Sequence, residues 1–419
     1  MPQLAINGGN PIAPQGLRAA WPVFDDRDRQ AVLRALDSGN WCRLNWADPK
    51  DSEVAQFEEE FARLHDARHC VAVANGTAAI EVALKAGGIE AGDEVLVPAV
   101  TFIASAIAII LAEAIPIFVD IDPETYQIDP AAMEAAISPK TAAAVVVHYG
   151  GYPADMDAIA QLAARRNLFV VEDCAHAHGT EWRGRKVGAL LDAGAFSFQA
   201  SKTLNCGEGG AVTTDREELA AKAFSYHHIG RVAGRPFYEH HIAAPNYRLT
   251  ELQGALLRSQ LEGFPQQTET RHRNGSRLSA AMADMPGVAP LKADARITQQ
   301  GYYFYLFRFL AEQWDGIHRD RFLEAMRAEG IPAGNAYGIP IHKNPVFQQR
   351  GFGRTGCPIN CAHYGLEIDY TKVTLPVAER ALAEEQVSLN KDLLMEESNI
   401  DLIIAALEKV YRNRDELRG

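Results

Sequence analysis

The chain lacks a long apolar run. Its most apolar stretch, residues 99–112, is interrupted by Thr101 and Ser105 and closed by Glu113 and Pro116, so it is too short and broken to span a bilayer and reads as a buried core helix. The opening Met1-Pro-Gln-Leu-Ala-Ile-Asn-Gly-Gly has no basic run before an apolar core, which argues against a secretory leader and leaves the cytoplasm as the expected location. Basic excess is missing too. With 41 Lys and Arg against 54 Asp and Glu the formal net charge is −13, so neither a nucleic acid nor a membrane surface is the expected partner, and an anionic ligand needs local nitrogen donors. The 6 cysteines are scattered and are expected to be reduced thiols; Cys357 and Cys361 lack a second pair, and no metal site is expected. Internal repeats, coiled-coil heptads and low-complexity tracts are also missing.

What is present is an alternation. From about 50 to about 215, Val-, Ile- and Phe-rich runs at 70–74, 94–97, 116–119, 143–147, 169–171, 195–198 and 211–214 alternate with helical patterns at 76–85, 102–112, 130–136 and 156–165. This predicts a mainly parallel seven-stranded sheet with helices on both faces, an α/β domain. A helix at 216–226 follows, then a Gly-, Arg- and Pro-rich loop at 229–245 with the character of a lid or intersubunit arm. A helix over 249–261 is expected to stop near Gly263 and Pro265, placing the domain boundary there: a large domain over 1–262, with an arm over about 1–20, and a smaller α+β domain over 263–419. In the latter, 302–310 is an aromatic strand and 318–329 a helix.

The candidate chemistry lies where strands end. Lys202, in Ser197-Phe-Gln-Ala-Ser-Lys202, follows Leu168-Phe-Val-Val-Glu-Asp173 by about thirty residues. A lysine amine that condenses with an aldehyde and a carboxylate that keeps a pyridine nitrogen protonated are the two groups a pyridoxal phosphate enzyme needs. Each residue alone also fits a plain surface lysine or helix cap. Asn75-Gly76-Thr77-Ala78, at a strand-to-helix junction, offers amides, a helix dipole and the Thr77 hydroxyl to a phosphate. Phe102 suits the face of an aromatic ring. Ala175 is small enough for a ring to approach, His176 is a donor for a phenolic oxygen, and Ser197 is placed for the phosphate. Gly207-Glu-Gly-Gly210 reads as a tight turn with close backbone approach.

Asn75-Gly-Thr-Ala-Ala, Pro98-Ala-Val-Thr-Phe-Ile-Ala, Glu172-Asp-Cys-Ala-His-Ala, Phe196-Ser-Phe-Gln-Ala-Ser-Lys202, Gly207-Glu-Gly-Gly and Asn246-Tyr-Arg-Leu-Thr-Glu-Leu-Gln together resemble the DegT-type sugar and cyclitol aminotransferases. The resemblance implies the aspartate aminotransferase fold (fold type I), a homodimer with shared active sites, and pyridoxal 5'-phosphate. It implies Lys202 as the Schiff-base lysine and Asp173 at the pyridine nitrogen. It also places His176 at the phenolic oxygen, Phe102 over the ring, Gly76, Thr77 and Ser197 at the phosphate, and Asn246 at the partner subunit's phosphate. Pro340-Ile-His342 matches an element near the acceptor, and Arg231 and Arg235 lie where a donor carboxylate is expected.

Within the family, Leu4-Ala-Ile-Asn-Gly-Gly, Trp21-Pro22 and Cys174-Ala-His-Ala-His178 are similar to glutamine-dependent inosose aminotransferases, while Val387-Ser-Leu-Asn-Lys-Asp-Leu-Leu-Met matches them more loosely. The expected reaction moves an amino group from an amino acid, glutamine first, to a keto-cyclitol such as scyllo-inosose or its 2-deoxy form. The alternatives are a nucleotide-linked keto-sugar as acceptor, a dehydratase or aromatising synthase of the same family, and a silent cofactor-binding regulator.

Overall fold

The computed structural model describes residues 3–17, 19–45, 48–360 and 362–418. Its large sheet holds β1 (His69–Val73), β2 (Glu94–Pro98), β3 (Ile115–Val119), β4 (Thr141–Val147) and β5 (Phe169–Asp173). Beyond the short hairpin β6 (Glu181–Trp182) and β7 (Arg185–Lys186), β8 (Ala193–Ser197) and β9 (Gly210–Thr214) complete it. The order is β1-β9-β8-β5-β4-β2-β3. Neighbours from β8 through β3 pair in parallel, whereas β9 is antiparallel to both β8 and β1. Six strands therefore run one way, and the carboxyl ends of β1, β2, β4, β5 and β8 open on a single edge. Open α/β sheets bind their ligands there.

The runs read as strands form these elements because both faces are covered. Val95, Leu96, Val97 and residues 143–146 are fully buried, with the helices Gly76–Ala86, Ala104–Leu111 and Met156–Arg166 between them in sequence. Short strand-to-helix connections place each following residue at the ligand edge. Asn75 caps the helix Gly76–Ala86, its side chain accepting from the Ala78 amide at 2.9 Å.

A second, antiparallel sheet contains β10 (Val288–Pro290), β12 (Phe304–Phe309) and β13 (Gln386–Asn390), while β11 (Ile297–Gln299) pairs with β6. Phe307, Phe309, Trp314 and Phe322 pack there with Ile403 and Leu407 of the helix Glu397–Arg412. Leu4 and Ala13 of the opening segment join this second core. In the other direction, Ile341, Phe347 and Tyr370 pack into the core of the large sheet.

The helix expected to end near Gly263 and Pro265 instead runs from Glu251 to Met282, so the boundary at 262/263 falls inside a helix. Proline removes one amide donor, but the buried stripe Leu257, Phe264, Thr268, Arg271, Asn274, Leu278 and Met282 keeps three- to four-residue or heptad spacing straight through it. Packing along that face outweighs the local breakers. A capping box at Thr250 and Gln253 fixes its start. Among the described residues no helix is long and apolar enough to cross a membrane. Cys357 is exposed, and Cys361 lies outside the described residues.

Candidate active site

A cavity of about 660 Å³ lies at the shared strand edge, with Gly76, Thr77, Phe102, Asp173, Ala175, His176, Ser197 and Lys202 all on its wall. Asp173 is the last residue of β5 and Ser197 the last of β8. The Asp173 Oδ2 accepts from the Ser105 hydroxyl at 2.7 Å and its Oδ1 from the Ala175 amide at 3.1 Å. Burial pushes its carboxyl above the ordinary range, and those hydrogen bonds pull the other way. Lys202 is buried as well. Loss of solvent lowers its amine to about 8; the charge of Asp173 opposes that shift and the charge of Lys391 adds to it. The amine lies 4.3 Å from the centroid of the Tyr303 ring.

His176 stacks on Tyr303 with centroids 4.2 Å apart and planes 13° apart. The Gly150 amide donates to its Nδ1 at 3.4 Å, which leaves the proton on Nε2, and Nε2 faces the Tyr337 hydroxyl at 3.0 Å. Burial above all, and then the charge of Lys202, holds His176 well below its usual pKa and therefore neutral. His176, expected at a phenolic oxygen, thus has a protein partner in Tyr337. Phe102 is half exposed, its ring 5.9 Å from that of Tyr337.

The opening turn of the helix Gly76–Ala86 is shaped for an anion. Its Gly76 and Thr77 amides have no acceptor among the described residues, since Asn75 serves Ala78 and Ala79. A Cβ on Gly76 would stand 2.7 Å from the Cβ of Ser197, so only glycine lets the helix start and the Ser197 hydroxyl converge. Gly210 has a similar reason, because a Cβ there would meet the Asn75 carbonyl oxygen at 2.4 Å. Paired amides and a hydroxyl at one end, with a buried amine and a buried carboxylate beyond, fit a phosphorylated pyridine aldehyde.

Other expected residues lie elsewhere. Asn246 is exposed and does not line the cavity, though Tyr247 beside it does. The Arg231 guanidinium donates to the Phe237 carbonyl at 2.9 Å and covers the Phe237 ring, within the loop, and Arg235 is exposed. His342 is buried with Nε2 3.1 Å from Glu379 and is absent from the cavity wall. Conversely, the wall includes Ser105, Tyr247, Tyr303 and Tyr337, and Glu81, whose carboxylate accepts from the hydroxyls of Tyr226 and Tyr247, both at 3.0 Å. Ser105 carried a signal, since Thr101 and Ser105 are the hydroxyls that interrupt an apolar run; they meet at 3.1 Å. Tyr337 carried none.

Residues 23–408 match the model of the DegT/DnrJ/EryC1/StrS aminotransferase family. A protein of Streptoalloteichus tenebrarius, provisionally named L-glutamine:3-amino-2,3-dideoxy-scyllo-inosose aminotransferase, is 40% identical over 420 residues, covering 99% of both chains. The L-glutamine:2-deoxy-scyllo-inosose aminotransferase of the same organism is 37% identical over 429 residues, again 99% of each. The crystal structure of 3-amino-5-hydroxybenzoic acid synthase superposes with a TM-score of 0.81 at 33% identity, over 94% of this chain and 100% of that one. With that extent of match, and a wall that gathers the residues of six separate motifs or their neighbours, the chain belongs to the DegT/DnrJ/EryC1/StrS aminotransferase family.

Proposed function

We propose that this chain is a pyridoxal-phosphate-dependent aminotransferase that moves an amino group from L-glutamine to a keto-cyclitol of the scyllo-inosose type. The observation that supports it most is the joint burial of Lys202 and Asp173 on one cavity whose far end offers the Gly76 and Thr77 amides and the Ser197 hydroxyl. When bound, the cofactor supplies a ring that accepts the electron pair left at the substrate carbon. The chain does the rest. Lys202, with its amine lowered to about 8, takes a proton from the substrate carbon and returns it as general base and acid. Asp173, held by Ser105 and the Ala175 amide, stabilises positive charge at the ring nitrogen, and Gly76, Thr77 and Ser197 hold the phosphate. Phe102 would flank the ring, and neutral His176, stacked on Tyr303, lines the same cavity.

The active unit is a homodimer in this reading. The exposure of Phe237 and Tyr238 on the loop 229–245, and of Asn246 beside Tyr247, supports a role for this segment at a second copy. Purified holoenzyme mixed with L-glutamine loses its visible imine absorbance; an unchanged spectrum overturns the proposal. A panel of keto-cyclitols and keto-sugars then identifies the acceptor, and competition by a nucleoside diphosphate would favour a nucleotide-linked sugar. The likeness to 3-amino-5-hydroxybenzoic acid synthase supports a second reading, an aromatising synthase, which the mass of the product distinguishes.

A further inference from the structure

Resting on the aminotransferase reading, we propose that Lys391, together with Arg271 and Trp21, forms the subsite that grips the α-carboxylate of the amino donor. The argument begins from buried cations. Lys409 and Arg319 show how this chain treats a structural one: Lys409 pairs with Glu329 at 2.8 Å and Arg319 with Asp320 at 2.9 Å. Lys391 is 6% exposed and Arg271 fully buried, yet neither makes an ion pair among the described residues. Buried charges without a counter-ion are costly, and a chain keeps them where a ligand brings the missing charge.

Their surroundings point the same way. The Lys391 ammonium faces rings, with the Trp21 centroid at 4.1 Å and that of Tyr303 at 5.5 Å. It has no hydrogen-bond acceptor among the described residues, so its donors are free for a carboxylate. Asp392 attracts it from beyond ion-pair distance. Arg271 is oriented by its Nε bond to the Gly301 carbonyl at 2.9 Å and its Nη2 bond to Thr268 at 2.9 Å, while Nη1 meets only the Met395 sulfur at 3.8 Å.

The location suits a donor amino acid. Tyr303 lines the cavity and has both amines near its ring, Lys202 at 4.3 Å and Lys391 at 5.5 Å from the centroid, while Lys391, Arg271 and Trp21 do not themselves line it. An α-carboxylate is one carbon removed from the amine that must reach the Lys202 end. Trp21 closes the arrangement, its indole N–H donating to the Ala200 carbonyl at 3.0 Å, two residues from Lys202. Arg231, the earlier candidate, is already turned onto Phe237.

The test uses holoenzyme and glutaramate, which is glutamine without its α-amine and cannot react. By calorimetry, wild type is expected to bind glutaramate at least about tenfold more tightly than the neutral diamide glutaramide, and Lys391→Met to lose that preference while Lys391→Arg keeps it. In single turnovers Lys391→Met raises the half-saturating glutamine concentration by roughly 10- to 100-fold, and changes the half-reaction of glutaminol, which lacks the carboxylate, far less. Equal binding of glutaramate and glutaramide by wild type overturns the subsite even if the variants do not fold. Unaltered glutamine dependence in a folded Lys391→Met does the same. Wild type that binds glutaramate through Lys391 but never consumes glutamine supports the subsite and refutes the aminotransferase reading instead.

Discussion

Asp173, His176 and Lys202 on the inner wall of the cavity are 5%, 3% and 8% exposed, whereas Phe237 and Tyr238 on the loop leading toward Tyr247 are 67% and 86% exposed. The inner groups are held by neighbours from distant parts of the chain: Ser105, Gly150 and Tyr337. On the loop, Arg231 bonds only within its own segment. These groups are held by their own chain, and their burial sets pKa values that a solvated residue cannot reach. The loop keeps apolar surface in water, which is the arrangement expected of a segment completed by a second copy. Chemistry should therefore respond to substitutions of the wall, and assembly to substitutions of the loop.

The largest effect is expected from Lys202→Ala, with turnover reduced about 10⁴-fold or more and the visible imine band lost, measured by steady-state rates and absorbance. Asp173→Asn should retain the band while turnover falls roughly 10²- to 10³-fold. Turnover near wild type in either variant would remove the wall's distinction. The amine itself gives a pH test. Its folded value of about 8 lies below the ordinary 10.5, so Schiff-base formation between apoprotein and pyridoxal phosphate should reach half its limiting rate near pH 8. Between those two values the unfolded chain carries a proton that the folded chain does not, so this group adds stability to the apoprotein as pH rises.

Gly76→Ala is expected to weaken cofactor affinity about tenfold and to destabilise the fold by about 1–3 kcal/mol, read by titration and thermal melting, because the new methyl meets Ser197. The smallest change in fold stability should come from Phe237→Ser, within about 0.5 kcal/mol by melting, while sedimentation shows weakened dimers. A large loss of monomer stability there would show that the loop is part of its own chain's core.

Strands at 94–97, 143–147 and 169–171 were legible because both faces are covered and each run is almost uniformly apolar. The end of the helix Glu251–Met282 was not, since Gly263 and Pro265 are local signals and the stripe from Phe264 to Met282 acts only once it has a surface to pack on. In the site, residues in short strand-to-helix motifs could be read directly, whereas Tyr337, more than 160 residues from His176, reaches it through the return of its segment to the large sheet.

Residue order alone set the alternation of strands and helices, the lysine and aspartate after their strands, and the family to which they point, because side-chain period and covalent spacing are local properties. Folding in three dimensions fixed the lowered amine of Lys202, the proton on His176 Nε2 and the unpaired charges of Lys391 and Arg271. Those depend on solvent exclusion and on distances between groups far apart along the chain, quantities that no stretch of sequence contains.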